Sequence, residues 1–236
     1  MKKYIFDVDG TLTPSRSKID LQFYRWFKDF AANNEVYLVT GSDREKTIEQ
    51  ITPKIYNLAK RVYNCSGNSV WEQDKQIRVN QLDLSDDFKQ HLQLTLDASK
   101  FEPKTGNHME ERDGLLNFSI VGRNCGNIDR KKYIEWDTYT DERKNIAREL
   151  ELLYGDRYDF GIAGETGIDI TNKGANKSQI LKDFDDTDII YFFGDATNVG
   201  GNDHEIALGV SDRLGKNITF TVESWRHTWN ILKSLE

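Results

Sequence analysis

Cysteine is scarce in this 236-residue chain. Only Cys65 and Cys125 are present, too few and too far apart for a disulfide framework or a zinc site. A reducing cytoplasm is the expected home. Long apolar runs are missing too: none approaches the roughly 20 residues a membrane span needs. The N-terminus enters a strand pattern at once, so no signal peptide is expected ahead of it. Basic charge is not in excess either. The net charge is -7, with acids and bases interspersed, whereas general nucleic-acid binding asks for a basic face; a few local arginines remain enough to hold a small anion. Internal repeats and low-complexity tracts are absent. What is present is 37% hydrophobic and 30% charged residues, which suits a soluble protein with a real core, either one large domain or a core with a sizeable insert.

Strand and helix patterns alternate. Tyr4, Ile5 and Phe6 read as the end of a buried strand, and Ile19, Phe23, Trp26, Phe27 and Phe30 recur at helical spacing after it. VYLV (Val36 to Val39) is a second buried strand, and Ser42 with Glu45 three residues on has the form of a capping box. Strand, helix, strand in this order implies a parallel sheet with right-handed crossovers. Between about residues 80 and 172 the texture changes. LLNFSIV (Leu115 to Val121) alternates as an antiparallel strand with one solvated face would. DERKNIARELELLY (Asp141 to Tyr154) is amphipathic through Ile146, Leu150 and Leu153, and GIDIT (Gly167 to Thr171) reads as another strand. This mixture predicts an α+β insert. IIYFF (Ile189 to Phe193) then returns to the parallel sheet and runs into a glycine-rich loop.

Three apolar strands therefore end in polar, glycine-bearing loops, DVDGT, TGSD and GDATNVGGND, where parallel α/β sheets bind ligands. Asp7 and Asp9 stand at i and i+2, so in an extended chain both carboxylates face one spot. Two anions there repel unless a cation or a chemical task occupies them; a simple Asx turn needs one aspartate. Asp7, Asp9 and Asp195 together suit Mg²⁺, which takes oxygen ligands and bridges to phosphate. One carboxylate can then act as a nucleophile that forms an aspartyl phosphate, and the second can move protons to and from a hydroxyl. Ser42 or Thr40 offers a hydroxyl to the phosphoryl oxygens and Lys177 a cation; Ser42 is equally suited to cap the following helix.

DVDGT, the TGS turn, a following lysine and GD…ND make up the four-part signature of the haloacid dehalogenase-like phosphotransferases, which the chain resembles. Within that superfamily it is similar over almost its whole length to eukaryotic-type α-phosphomannomutases, through DVDGTLTPSRSKI, GSDREK, RDGLLNFSIVGRN and FFGDATNVGGNDHEI. The resemblance implies a Rossmann-like parallel-sheet core formed by residues 1–80 and 173–236, with an inserted α+β cap at 81–172. It implies Mg²⁺, phosphoryl transfer through Asp7 and acid–base work by Asp9. Arg16, Arg112, Arg123 and Arg130 match the family's substrate arginines, and Asp169 matches an aspartate that holds sugar hydroxyls. A mutase must hold a sugar with a phosphate at each end, and guanidinium forks fit phosphate better than ammonium does.

The implied activity interconverts mannose 6-phosphate and mannose 1-phosphate through a hexose 1,6-bisphosphate, with glucose phosphates as further candidates and a homodimer formed through the caps. Some stretches depart from the family. Gly167 stands where serine is usual and Ala196 where lysine is usual; ALGVSDRLG replaces a segment that helps hold a second cation; TNKGANKSQIL is closer to sugar phosphatases of the same cap type. A Mg²⁺-dependent sugar-phosphate phosphatase is therefore the alternative. A non-catalytic sugar-phosphate binder is disfavoured, because every acid needed for turnover is retained.

Overall fold

The computed structural model describes residues 2–235 of the chain. By contacts it divides into two compact units, Met1–Val79 with Asn176–Glu236, and Asn80–Ala175.

In the first unit, strands β1 (Lys2–Phe6), β2 (Glu35–Val39), β3 (Arg61–Asn64), β4 (Ser69–Glu72) and β5 (Lys75–Val79) alternate at first with helices α1 (Leu21–Asn33) and α2 (Arg44–Leu58). After the second unit come a 3₁₀ segment (Lys177–Asp183), then β10 (Ile189–Gly194), α6 (His204–Asp212), β11 (Ile218–Thr221) and α7 (Trp225–Leu235). The sheet order is β11-β10-β1-β2-β3-β4-β5, parallel from β11 to β3 and antiparallel beyond. The sheet is apolar on both faces, which is why its central strands read as unbroken hydrophobic runs. Tyr4 and Phe6 of β1 pack with Phe23, Phe27 and Phe30 of α1, Ile51 and Ile55 of α2, and Trp225 and Leu232 of α7. Ile5, Ile190 and Phe192 point the other way, against Ile180, Phe184, Ile206 and Val210.

Two sequence expectations need correction here. Ile19 lies before α1, which is capped by Asp20 accepting from the backbone N–H groups of Gln22 and Phe23. The cap of α2 is Asp43, whose carboxylate accepts from the Lys46 N–H. Ser42, the residue expected there, sits one position too early for its side chain to reach that donor, and its hydroxyl turns elsewhere.

The second unit contains α3 (Asp86–Ala98), β6 (Asn107–Arg112), β7 (Leu115–Arg123), α4 (Asn127–Thr140), α5 (Glu142–Tyr154), β8 (Tyr158–Ala163) and β9 (Gly167–Asn172). Its antiparallel sheet has the order β6-β7-β9-β8. Strand alternation sorts its faces. Leu116, Phe118, Ile168, Ile170, Phe160 and Ile162 pack with Phe88 and Leu92 of α3, Tyr133 of α4, and Ile146 and Leu150 of α5. The intervening residues form a polar face, where Glu110, Asn117 and Asp169 stand directly opposite one another on β6, β7 and β9. Here too the sequence expectations are adjusted. The polar residues of β7 are not solvated, since Asn117 and Ser119 are buried, and Leu153, expected on the buried stripe of α5, is 55% exposed.

Asn64 fixes the end of β3 to the loop after β2. Its Nδ2 donates to the Ser42 carbonyl (3.1 Å) and the Thr47 hydroxyl (2.8 Å), and its Oδ1 accepts from the Tyr56 hydroxyl (2.8 Å). All of this lies out of water. Asn64→Ala is expected to lower stability by on the order of 3 kcal/mol, because it orphans buried groups that each cost roughly 1–3 kcal/mol; a shift of the urea midpoint by less than a third of that amount would show the network to be dispensable.

Candidate active site

Strands β10, β1 and β2 are neighbours, so their carboxyl ends bring the three polar loops together. Asp7 is the first residue beyond β1, and its N–H donates to the Phe193 carbonyl of β10 (2.9 Å). The chain then turns tightly, with the Leu12 and Thr13 N–H groups both on the Val8 carbonyl. Gly10 occupies the left-handed region (φ +82), and a Cβ there would stand 2.2 Å from Oδ2 of Asp195. Glycine is needed both for the turn and for the approach of that carboxylate.

Lys177 lies at the start of the 3₁₀ segment, where the side chain of the preceding Asn176 accepts from the Ser178 N–H. Its ammonium donates to Oδ1 of Asp7 and Oδ1 of Asp203, both at 2.7 Å, and it is only 1% exposed. Burial disfavours its charge, but attraction to Asp203 and then Asp7 holds its pKa above the usual ammonium value. For Asp7 the loss of water dominates and pushes the carboxyl well up, against the pull of Lys177. Asp195 is raised to about 6 by loss of water and then by the charge of Asp203.

Asp7, Asp195 and Asp203 each offer an oxygen within 4.8 Å of the others. Counted as formal charges, three carboxylates, two buried and one exposed, against one ammonium leave two negative charges, which a divalent cation would offset. The atoms needed are identifiable. Both oxygens of Asp203 are already used, Oδ1 by Lys177 and Oδ2 by the Ala196 N–H (3.2 Å). Oδ2 of Asp7 is buried without a hydrogen-bond partner. The donor set fits a hard, oxygen-seeking ion held by Asp7 and Asp195, with Asp203 adding charge behind them.

The carboxylate of Asp9 does not join this group of three, although its charge still acts on Asp195. Its Oδ1 accepts from Gln50 Nε2 (2.8 Å) and the Arg16 N–H (2.7 Å), and its Oδ2 accepts from the Ser42 hydroxyl (3.4 Å). Asp9 was expected with the metal ligands, yet among the described residues its place in the acidic cluster is taken by Asp203. The physical reason is the turn: β1 ends at Phe6, so the strict alternation assumed for the pair stops before either aspartate. Oδ1 thus has two short N–H contacts, and Oδ2 only the longer one from Ser42. Arg16 reaches Asp9 through its backbone, in a left-handed conformation (φ 55), with its side chain exposed. The hydroxyl of Thr40 is turned to the Ser42 N–H (3.1 Å).

The other expected residues lie in the second unit. Arg112 donates from Nε and Nη2 to Oε1 of Glu110 (2.7 and 2.6 Å), and Arg123 donates from Nε to Oε2 of the same residue (3.0 Å). Burial opposes the charge of Glu110, but Arg112 and then Arg123 hold its carboxyl below the usual value. Arg130 donates to Glu165 (3.0 Å). Asp169 accepts from Asn117 Nδ2 (2.6 Å), and a Cβ at Gly167 would stand 2.5 Å from that nitrogen.

Sequence reasoning therefore missed Asp203, Gln50, Glu110 and Asn117 as neighbours of the expected residues. The signal for Asp203 was legible, since it is the second acid of GDATNVGGND. Gln50 sits in mid-helix and carried none.

The family model described as Eukaryotic phosphomannomutase matches residues 24–235. The phosphomannomutase of Galdieria sulphuraria is 34% identical over 215 residues, covering 86% of this chain and 83% of its own length. The probable phosphomannomutase of Caenorhabditis elegans is 29% identical, covering 98% of this chain and 96% of its own. Among solved structures, a haloacid dehalogenase-like hydrolase from Bacteroides thetaiotaomicron superposes with a TM-score of 0.61 at 12% identity, covering 100% of this chain and 99% of that one; this is a likeness of fold.

Lys177→Met removes the cation between two buried carboxylates and is expected to cost roughly 3–5 kcal/mol. The loss depends on pH with a defined sign. A carboxyl whose folded pKa is raised is penalised above that pKa and relieved by protonation below it. With Lys177 gone, Asp7 moves further in the raised direction, so the deficit relative to the parent is larger at pH 8 than at pH 5. Melting both proteins at the two pH values, with a chelator present, measures it; a deficit that grows on acidification would contradict the assignment.

Proposed function

The chain belongs to the eukaryotic phosphomannomutase family, and from that premise we propose that it interconverts mannose 6-phosphate and mannose 1-phosphate by way of a phosphorylated Asp7 and a hexose 1,6-bisphosphate. The observation that carries the reading is the unpartnered Oδ2 of Asp7, buried beside Lys177 and Asp195 at the carboxyl end of the central strand. A desolvated, unpaired carboxylate oxygen destabilises a resting protein, and phosphoryl transfer gives it a purpose.

In the forward half-reaction an oxygen of Asp7 attacks phosphorus of the bisphosphate. The bond from phosphorus to the sugar oxygen breaks, and that oxygen takes a proton from Oδ2 of Asp9. In the reverse half-reaction Asp9 accepts the proton of the hydroxyl that attacks phospho-Asp7. Gln50 and the Arg16 N–H hold Asp9 through its other oxygen, which keeps the proton-bearing oxygen fixed in direction. Lys177 keeps Asp7 oriented, and the Ser42 hydroxyl, which donates to Asp9 here, turns to a phosphoryl oxygen when substrate is bound. Mg²⁺ held by Asp7 and Asp195 would supply the positive charge that lets a phosphate approach a carboxylate.

Arg112, Arg123 and Arg130 serve as the grip on the phosphate that is not reacting, with Arg16 a further cation for it and Asp169 an acceptor for sugar hydroxyls. The register row that puts Asp169 beside Asn117 and Glu110 supports this, because it sets an anion-binding group and a hydroxyl acceptor on one face of one sheet. A homodimer through the second unit belongs to the same reading, supported by the exposed Ile128, Tyr139 and Leu152 on its helices. A cytoplasmic home accords with two free thiols, and no described helix is long and apolar enough to cross a membrane. Sugar-phosphate hydrolysis is the second reading. It is favoured by Gly167, where the family's usual serine is missing and a side chain would require the neighbouring Asn117 to shift.

The deciding experiment supplies Mg²⁺, mannose 1-phosphate and a trace of hexose 1,6-bisphosphate, and measures mannose 6-phosphate and free phosphate together. Mannose 6-phosphate is expected to dominate, and Asp7→Asn is expected to abolish both products while remaining folded. Free phosphate as the main product would replace the mutase with the phosphatase. Chelation is expected to silence the parent, and Asp195→Ala to raise the Mg²⁺ concentration required; an unchanged metal titration in that variant would remove Asp195 from the site.

A further inference from the structure

We infer that Glu110 is a positioning residue that holds the guanidinium groups of Arg112 and Arg123 as one two-pronged anion receptor. The inference rests on the proposed role of those arginines as the grip on the distal phosphate.

The two arginines come from different strands. Arg112 ends β6, two residues after Glu110 and on the same face. Arg123 ends β7 and pairs with Asn107 of β6, on the far side of a register shift between the two strands. The shift is built on two glycines: Gly122 is left-handed (φ +87), and a Cβ there would stand 2.4 Å from the carbonyl carbon of Gly106. Such a shift re-aims the residues that follow it, and here it turns Arg123 back toward Glu110. One carboxylate then receives both side chains, each through its Nε edge and on a separate oxygen. Arg123 uses Nε alone, so both of its Nη groups are without a partner among the described residues.

Charge explains why an acid belongs there. The side chains of Arg112 and Arg123 are 8% and 17% exposed, and two poorly hydrated cations at this separation repel. Glu110 offsets one of the two cations, so the trio of Glu110, Arg112 and Arg123 carries one formal positive charge. Simple electrostatics predicts that removing the acid would tighten anion binding. Positioning predicts the opposite, because an amide turns an N–H donor toward the donor of Arg123 and releases the pair.

Glu110→Gln separates these outcomes. The KM for hexose 1,6-bisphosphate is expected to rise about tenfold, the effect of misdirecting one charge-assisted hydrogen bond. The kcat is expected to change less than twofold, and hydrolysis of a small monophosphate without a distal anion not at all. Tighter bisphosphate binding would make Glu110 a competitor of the phosphate, and an unchanged KM would make it structural; either result overturns the inference. Arg123→Ala is run in parallel. If it leaves bisphosphate use intact, the reading of the arginines as the grip fails. If it weakens bisphosphate use while Glu110→Gln does not, only the inference about Glu110 fails. Circular dichroism checks the fold, and should Glu110→Gln not fold, Glu110→Asp carries the test: it keeps the charge but is too short to reach both arginines, so a rise in KM is expected and parent-like binding overturns the inference.

Discussion

The ammonium of Lys177 between Asp7 and Asp203 is the contact on which the first unit's site depends. It joins the end of β1, the loop after β10 and the 3₁₀ segment, which are far apart in the chain. Without it the buried carboxylates would have no cation from the protein and would take up protons. With it the two buried carboxylates keep one negative charge in excess, and the exposed Asp195 adds a second; the proposed cation offsets that residual charge. A stabilising ion pair and an intentionally incomplete one are thus the same cluster. Such clusters are weak evidence of stability and stronger evidence of a task.

The carboxylate of Asp9 is partnered differently from that of Asp7. Asp9 is two residues from Asp7, yet its partners are Gln50, the backbone of Arg16 and Ser42. The tight turn through Gly10 makes the separation possible, and its lack of a Cβ admits Asp195. One short loop therefore presents two carboxylates in different surroundings, one beside Lys177 and the other beside Gln50 and Ser42.

The second unit solves a different problem, how to display cations and polar groups on a sheet that needs a core. Alternation gives one face to Leu116, Phe118, Ile168 and Ile170 under three helices and the other to Glu110, Asn117 and Asp169. Pairing the arginines with acids within that unit satisfies them without hiding them entirely. Gly167 belongs to the same economy of space, since it lets the Asn117 amide reach Asp169. A side chain at position 167 would require Asn117 to shift.

Much of this was legible in the residues themselves. Continuous apolar runs in β1, β2 and β10 follow from burial on both faces, and the acids and glycines after them mark the carboxyl ends where a parallel sheet binds ligands. Asp7, Asp9 and Asp195 stood out by their places after apolar strands, whereas Lys177, in a 3₁₀ segment, stood out only through the family resemblance. Which oxygen is satisfied and which is left bare was not legible. That depends on Gln50 from mid-α2, on Asp203 closing on Lys177, and on Asp43 rather than Ser42 capping a helix, all of them contacts between distant segments. The alternating pattern likewise gave β7 two faces, but only the strand pairing decided that Glu110, Asn117 and Asp169 share a row, since register is set by packing across the sheet. The sequence by itself determined the chemistry available and the strand ends where it gathers. Tertiary structure decided how charge is shared there, because hydrogen bonding and desolvation are properties of neighbours in space.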